Sequence, residues 1–257
     1  MKISSKDSTT WIIGASTGIG AELANSLVKN GETVILSSRN EEALRKMQKT
    51  MSEGFSGNAL VEPLDISDSQ QILSSVDRLF LKHRKIHRVI IMAGLYDPGP
   101  ILEATPSKTE NIIKTNLMGP ANLVHAVLPK LKNQRNYPQL VICASLVGVI
   151  GLPNGQPYSC TKAALINFTE SLYVEEGNWL DVKLINPGFV KTRLTDLNNF
   201  KMPALISAEK AANIINKGLN KKAFEIHFPK KISLLVKLLS ILPRESVLRL
   251  IRYLKKR

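Results

Sequence analysis

TTWIIGASTGIGAELANSLVKNG, residues 9 to 31, decides the fold. TTWIIG is a β-branched, apolar run of strand length, and GAELANSLVKNG repeats apolar residues at helical spacing up to Gly31, a residue suited to ending a helix. Between them stands GASTGIG, residues 14 to 20. A strand that turns through glycines directly into a helix aims backbone amides and the positive end of the helix dipole at one point. Its glycines let a pyrophosphate approach the backbone. The stretch therefore predicts a dinucleotide site, with Gly14, Ser16, Thr17, Gly18, Ile19 and Gly20 around the phosphates.

Outward from this unit the same alternation repeats. ETVILSS reads as a second strand, followed by a charged helix over about 40–51. NALVEPLD reads as a third strand, with Asp68 as cap of the next helix. HRVIIMAG, a long helix over about 107–131, PQLVICAS, a helix bearing Tyr158, LDVKLINPG and KAFEIHF complete the pattern of a parallel sheet covered by helices. No Pro/Gly/Ser-rich linker divides the chain, so residues 1–227 are expected to form a single domain.

Composition narrows the function classes. The 257 residues are 44% hydrophobic and 22% charged, ample for a core. The first ten residues lack the apolar segment of a secretory leader, and no window approaches the about 18 apolar residues of a membrane span. Two cysteines, Cys143 and Cys160, suit a reducing compartment, which makes cytoplasmic the expected location. Neither has zinc-ligand company; His83 and His87 in LKHRKIHR read as part of a solvated helix end, and no metal is expected. The net charge of +14 raises nucleic acid or anionic membrane as partners, but aromatics are 5% and no recognition motif accompanies the charge, so nucleic acid is set aside.

The end of the second strand is LSSRN. An acidic residue there would accept hydrogen bonds from adenine ribose hydroxyls. Ser38 instead removes a charge that would repel a 2′-phosphate, and Arg39 offers a forked cation to bind one. NADP(H) is thus preferred over NAD(H). Further on, QPYSCTK, residues 156 to 162, sets Tyr158 and Lys162 at i and i+4, so on a helix both project into one cleft.

Taken together these motifs resemble the short-chain dehydrogenase/reductase family, classical type, over about residues 9–227. Asp65 in PLDIS, beside Ile66, matches the family's adenine-contacting aspartate. Asn116 in KTNLMGP matches its catalytic asparagine. Ser145 in CASLVG precedes Tyr158 by the family's usual separation, and NPGFVKT supplies Pro187, Gly188, Val190 and Thr192 on the nicotinamide side. The family's NNAG is IMAG here, so Ile91 and Met92 replace polar ties by apolar packing before Ala93 and Gly94. The resemblance implies a Rossmann-like, doubly wound parallel sheet of about seven strands with helices on both faces. It also implies a catalytic set of Asn116, Ser145, Tyr158 and Lys162, with Asn116, Tyr158 and Lys162 also against the cofactor, and a homo-oligomer, dimer or tetramer.

Hydride delivery to a carbonyl carbon builds negative charge on the oxygen, and an acid must protonate it. Tyrosine, with a pKa of about 10, is a reluctant partner near neutrality. A cation about 4 Å away at an effective dielectric of ~20 is worth on the order of 4 kcal/mol as an upper bound, so Lys162, together with the positive charge of oxidised nicotinamide, is expected to lower the Tyr158 pKa. By resemblance Lys162 also holds the nicotinamide ribose, Ser145 donates to the oxyanion and Asn116 positions a relay water. The expected function is NADPH-dependent hydride transfer on a small carbonyl or secondary alcohol. The alternative is a non-catalytic dinucleotide-sensing protein.

FVKTRLTDLNNFKMPALIS occupies the family's substrate lid. Phe189, Leu194, Leu197, Phe200, Met202, Leu205 and Ile206 suit a lipophilic substrate, and Lys191, Arg193 and Lys201 read as solvated charges in the first place and as a site for an anionic handle in the second. Residues 228–257 form a basic extension with nine Lys/Arg against one Glu. Two helical patterns flank Pro243, the second placing Val247, Leu250, Ile251 and Leu254 opposite Arg249, Arg252 and Lys256. This tail is expected either to touch an anionic membrane, peripherally on its inner face, or to pack on protein.

Overall fold

The computed structural model describes residues 8–83, 85–134, 137–200 and 202–255; Lys201 and Lys256 lie outside them. The strands are β1 (Thr9–Ile13), β2 (Thr33–Ser37), β3 (Asn58–Val61), β4 (Arg88–Ile91), β5 (Gln139–Cys143), β6 (Asp181–Pro187), the two-residue β7 (Val190–Lys191) and β8 (Ile206–Ser207), and β9 (Glu225–Phe228). Seven of them form one parallel sheet in the order β3-β2-β1-β4-β5-β6-β9, while β7 and β8 pair separately. The helices are α1 (Gly18–Lys29), α2 (Glu41–Gly54), α3 (Ser69–Lys82), α4 (Pro106–Ile113), α5 (Gly119–Asn133), α6 (Tyr158–Glu176), α7 (Ala208–Leu219), α8 (Lys230–Ile241) and α9 (Arg244–Lys255).

Side chains alternate across the pleat, so each central strand feeds two cores. Trp11, Ile13, Val89, Ile91, Leu140 and Ile142 pack with Ile72 and Val76 of α3, Leu123 of α5 and Leu165 of α6. Ile12, Ile90 and Val141 face the other way, onto Leu23 and Leu27 of α1, Leu44 of α2 and Ile215 of α7. Strand order reverses between β1 and β4, and such a switch opens a crevice at the carboxyl ends of the strands. The expected doubly wound sheet of seven strands is therefore present.

Three local outcomes refine the sequence reading. The third strand stops at Val61, two residues before Pro63, which has no N–H to extend a ladder. The long helix over 107–131 is broken into α4, a π-turn at Lys114–Met118 and α5. Pro120 cannot donate to the carbonyl four residues back, and Gly119 N–H reaches Lys114 O instead. Helix α7 arises from AEKAANIINKGL, its start capped by Ser207 Oγ accepting from Lys210 N–H; sequence reading left this segment unassigned.

At the other end of the sheet a buried polar chain crosses four strands. Arg88, 2% exposed, pairs with Glu32 at 3.2 Å, and its Nε donates to Gln139 Oε1 at 2.6 Å. Thr10 Oγ1 donates to Glu32, and Gln139 Nε2 donates to Asp181, which also pairs with Lys183. LKHRKIHR thus ends as a solvated helix only as far as His83; His87 Nδ1 accepts from Thr9 N–H, and Arg88 opens β4.

Beyond β9, α8 is anchored on its inner side. Ser233 is fully buried and its Oγ lies 2.7 Å from His227 Nδ1, while Lys237 pairs with Glu225.

Candidate active site

The glycine turn is built by what cannot stand there. Gly14 has φ +92°, and a Cβ on it would lie 2.6 Å from the Ala93 backbone nitrogen. A Cβ on Gly20 would meet Gly14 O at 2.1 Å. Both positions must be bare for β1 to fold into α1 against the end of β4. Gly14 N–H and Ala15 N–H donate to Ser37 O at 2.7 and 3.0 Å, which fixes the turn. Thr17, the N-cap of α1, makes no side-chain capping bond, so first-turn amides are left for an anion.

From this turn a cleft of about 610 Å³ runs along the strand ends. Gly14, Ser16, Thr17, Gly18, Ile19, Gly20, Ser38, Arg39, Asp65, Ile66, Ala93, Gly94, Tyr158, Lys162, Pro187 and Thr192 all line it. At one end Arg39 is exposed and makes no ion pair or hydrogen bond among the described residues. Asn40 caps α2 through Oδ1, which turns the chain directly after Arg39. Asp65 Oδ1 accepts from Ser67 N–H and Oγ–H, a local turn that holds the carboxylate at the cleft.

Tyr158 and Lys162 meet at the opposite end. Lys162 is 3% exposed; its Nζ donates to Cys143 O at 2.9 Å and lies 5.5 Å from the centroid of the Tyr158 ring. Protein crowding around the phenol pushes the Tyr158 pKa well above the ordinary tyrosine range, and the Cys143 thiol adds to this, while the neighbouring Ser145 hydroxyl pulls the other way. Burial likewise pushes the Lys162 amine down. In the protein alone, therefore, burial dominates, and the phenol is held protonated. Ser145 Oγ donates to Pro187 O at 3.3 Å and accepts from Val147 N–H.

Asn116, Ser145, Gly188 and Val190 stand outside the cleft lining. Asn116 is fully buried in the π-turn: its Oδ1 accepts from Leu95 N–H at 2.7 Å and its Nδ2 donates to Leu95 O at 2.8 Å. It straps down the loop after β4, with a third contact to Thr161 Oγ1. The neighbouring Thr115 does line the cleft, and its buried Oγ1 has no hydrogen-bond partner among the described residues. Open first-turn amides, a free Arg39 and this unpartnered hydroxyl fit a bound dinucleotide.

The segment expected to form the lid borders the same space. Arg193, Leu194 and Leu197 line the cleft, Phe189 and Phe200 meet edge-on at 5.7 Å, and Lys191 is exposed. Sequence reading missed Tyr96, whose ring meets Tyr158 edge-on at 4.9 Å and whose hydroxyl donates to Asn198 Oδ1 in the lid at 2.9 Å. Nothing in the linear pattern marks Tyr96. Cys143 and Thr115, by contrast, were signalled by lying next to motif residues.

A family model for short chain dehydrogenases matches residues 8–202. An uncharacterized oxidoreductase of Myxococcus xanthus (strain DK1622) is 32% identical over 238 residues, 91% of this chain and 92% of the relative. Among solved structures, a short chain dehydrogenase/reductase from Burkholderia phymatum in complex with NAD superposes with a TM-score of 0.83 at 22% identity, covering 92% of this chain and 94% of that one. A short chain dehydrogenase from Burkholderia cenocepacia J2315 in complex with NADP does so with a TM-score of 0.81 at 22% identity, over 97% and 99%. With the matched family model spanning most of its length and the ordered glycine turn, serine, tyrosine and lysine in place, the chain belongs to the short-chain dehydrogenase/reductase family.

Proposed function

We propose that the protein is an NADP(H)-dependent oxidoreductase that transfers a hydride between nicotinamide and a carbonyl or secondary alcohol of a lipophilic substrate. One observation carries the reading: Tyr158 and Lys162 border the same cleft as the glycine turn. Bound there, the reduced dinucleotide supplies the hydride. The amides around Gly18 would hold its pyrophosphate, Arg39 its 2′-phosphate, and Asp65 with Ile66 its adenine side.

The remaining roles belong to the chain. Tyr158 Oη would exchange its proton with the oxygen on which charge develops, as acid in carbonyl reduction and as base in alcohol oxidation. Ser145 Oγ, within hydrogen-bond reach of the phenol, turns from Pro187 O toward that oxyanion. Lys162 would exchange its bond to Cys143 O for a ribose hydroxyl. Asn116 keeps the loop of Gly94 and Leu95 in place and positions the relay water. Leu194 and Leu197 offer an apolar wall, and Arg193 a cation for an anionic substrate handle.

The test is NADPH consumption across a panel of lipophilic ketones and aldehydes, with Tyr158→Phe as control. Turnover that the variant loses supports the reading. NADPH binding without turnover of any member would assign the cleft to cofactor sensing instead.

A further inference from the structure

Helix α8 buries one side and leaves the other bare. Ser233 faces the sheet edge, and Lys237 is committed to Glu225. On the opposite side Leu234, Leu238 and Ile241 recur at i, i+4 and i+7 with exposures of 57%, 55% and 78%, flanked by the exposed Leu235 and Leu242. Five large aliphatic residues on one exposed face form a contiguous stripe rather than scattered surface leucines. Its polar surroundings are mostly cationic. Lys230 and Lys231 open α8, and Arg244, Arg252 and Lys255 follow on α9, while Arg249 pairs with Glu245. Helix α9 adds exposed Leu250 and Leu254, whereas Val247 is buried and so removed from the apolar face that its sequence predicts.

We propose that this outer face of α8 and α9 docks on the surface of an anionic phospholipid bilayer. The stripe needs hydrocarbon, and the cations around it need fixed negative charge; a bilayer interface presents both in one plane. Charge decides between occupants. A second copy would bring like charge against like, since residues 228–257 carry +8 of the net +14. Nucleic acid would match the cations and leave the leucines in water. No helix among the described residues is long and apolar enough to cross a membrane, so the contact is interfacial.

The anchored inner side of α8 makes truncation a poor test, because it would strip Ser233 and Lys237 from β9. Substitutions on the outer face avoid this. Full-length protein is sedimented with vesicles of pure phosphatidylcholine and of equal parts phosphatidylcholine and phosphatidylglycerol. The expected result is at least tenfold stronger partition onto the anionic vesicles. Leu234→Gln/Leu238→Gln/Ile241→Gln and Lys231→Glu/Arg244→Glu/Arg252→Glu should each lower that partition tenfold or more with NADPH binding unchanged. Equal partition onto both vesicles, no partition, or partition unaffected by either triple variant would overturn the proposal. Loss of a dimer in the leucine variant, without vesicle binding by the parent protein, would assign the face to a second copy.

Discussion

Lys162 Nζ is bonded to the Cys143 carbonyl at 2.9 Å, which fixes the amine at the floor of the cleft, 5.5 Å from the centroid of the Tyr158 ring. The ammonium is thus held by a neutral acceptor in a site where burial works against its charge. Replacing it with an unbranched apolar chain of similar length removes that conflict. Lys162→Met should keep its fold, with a small change in Tm, yet lose on the order of 10²-fold or more in kcat/KM. Steady-state kinetics beside a thermal melt checks both halves; full activity would show that the amine is a packing residue.

Tyr158 carries the pH dependence. Its pKa is raised, so its protonated form persists as pH rises. The tyrosines of the unfolded chain ionise at about 10, so the stability held by this group is complete below that pH and is lost progressively above it. In the dinucleotide-free protein, the phenolate absorbance difference between the parent and Tyr158→Phe should stay at zero through neutrality and at pH values near 10. A difference appearing near pH 7 would contradict the burial argument.

The contrast between that result and the sequence reading is physical. Spacing alone places Tyr158 and Lys162 on one helical face, and α6 keeps them there. Spacing says nothing of dielectric. The expectation that Lys162 and oxidised nicotinamide lower the phenol's pKa concerns the dinucleotide-bound cleft, whereas in the protein alone the packing around the hydroxyl pushes it up. The glycine turn and the Asp68 cap were legible because each is a local backbone requirement. Tyr96 and Asn198, 102 residues apart, become neighbours only when the loop after β4 and the lid meet.

That long-range pair yields its own expectation. Tyr96→Phe keeps the ring against Tyr158 and removes the hydroxyl that bonds Asn198, so it should act like Asn198→Ala. Both should raise KM severalfold with kcat little changed, because each removes one hydrogen bond, worth about 0.5–1.5 kcal/mol, between the loop after β4 and the segment carrying Asn198. Tyr96→Ala also removes the ring contact and should lower kcat as well. Equal effects of all three on kcat would show that the lid bond and the ring contact are not separable.

Arg39 has no partner among the described residues, so its guanidinium stands free for the 2′-phosphate contact proposed above. Hydrogen bonds to a charged group are worth about 1.5–3 kcal/mol, so Arg39→Ala should cut the ratio of kcat/KM for NADPH over NADH by roughly 10- to 100-fold. The loss should fall on NADPH, with NADH nearly untouched. Parent protein that favours NADH would refute the assignment outright.

Stability at the far end of the sheet rests on a charge that sequence reading took for part of a solvated segment. Arg88 is buried with Glu32, Thr10 and Gln139 around it, and removing it leaves Glu32 as an uncompensated carboxylate in the core. Breaking one side of such a pair costs about 3–5 kcal/mol, whereas exchanging both partners for apolar residues can be close to neutral. Arg88→Met should therefore lower Tm by roughly 6–20 °C, and Arg88→Met/Glu32→Leu should recover at least half of that loss. The recovery stays incomplete because Gln139 Oε1 and Thr10 Oγ1 still lose their donor or acceptor. If the double variant melts below the single one, the ion pair contributes net stability beyond mutual compensation, and the four-strand chain is a stabilising element in its own right.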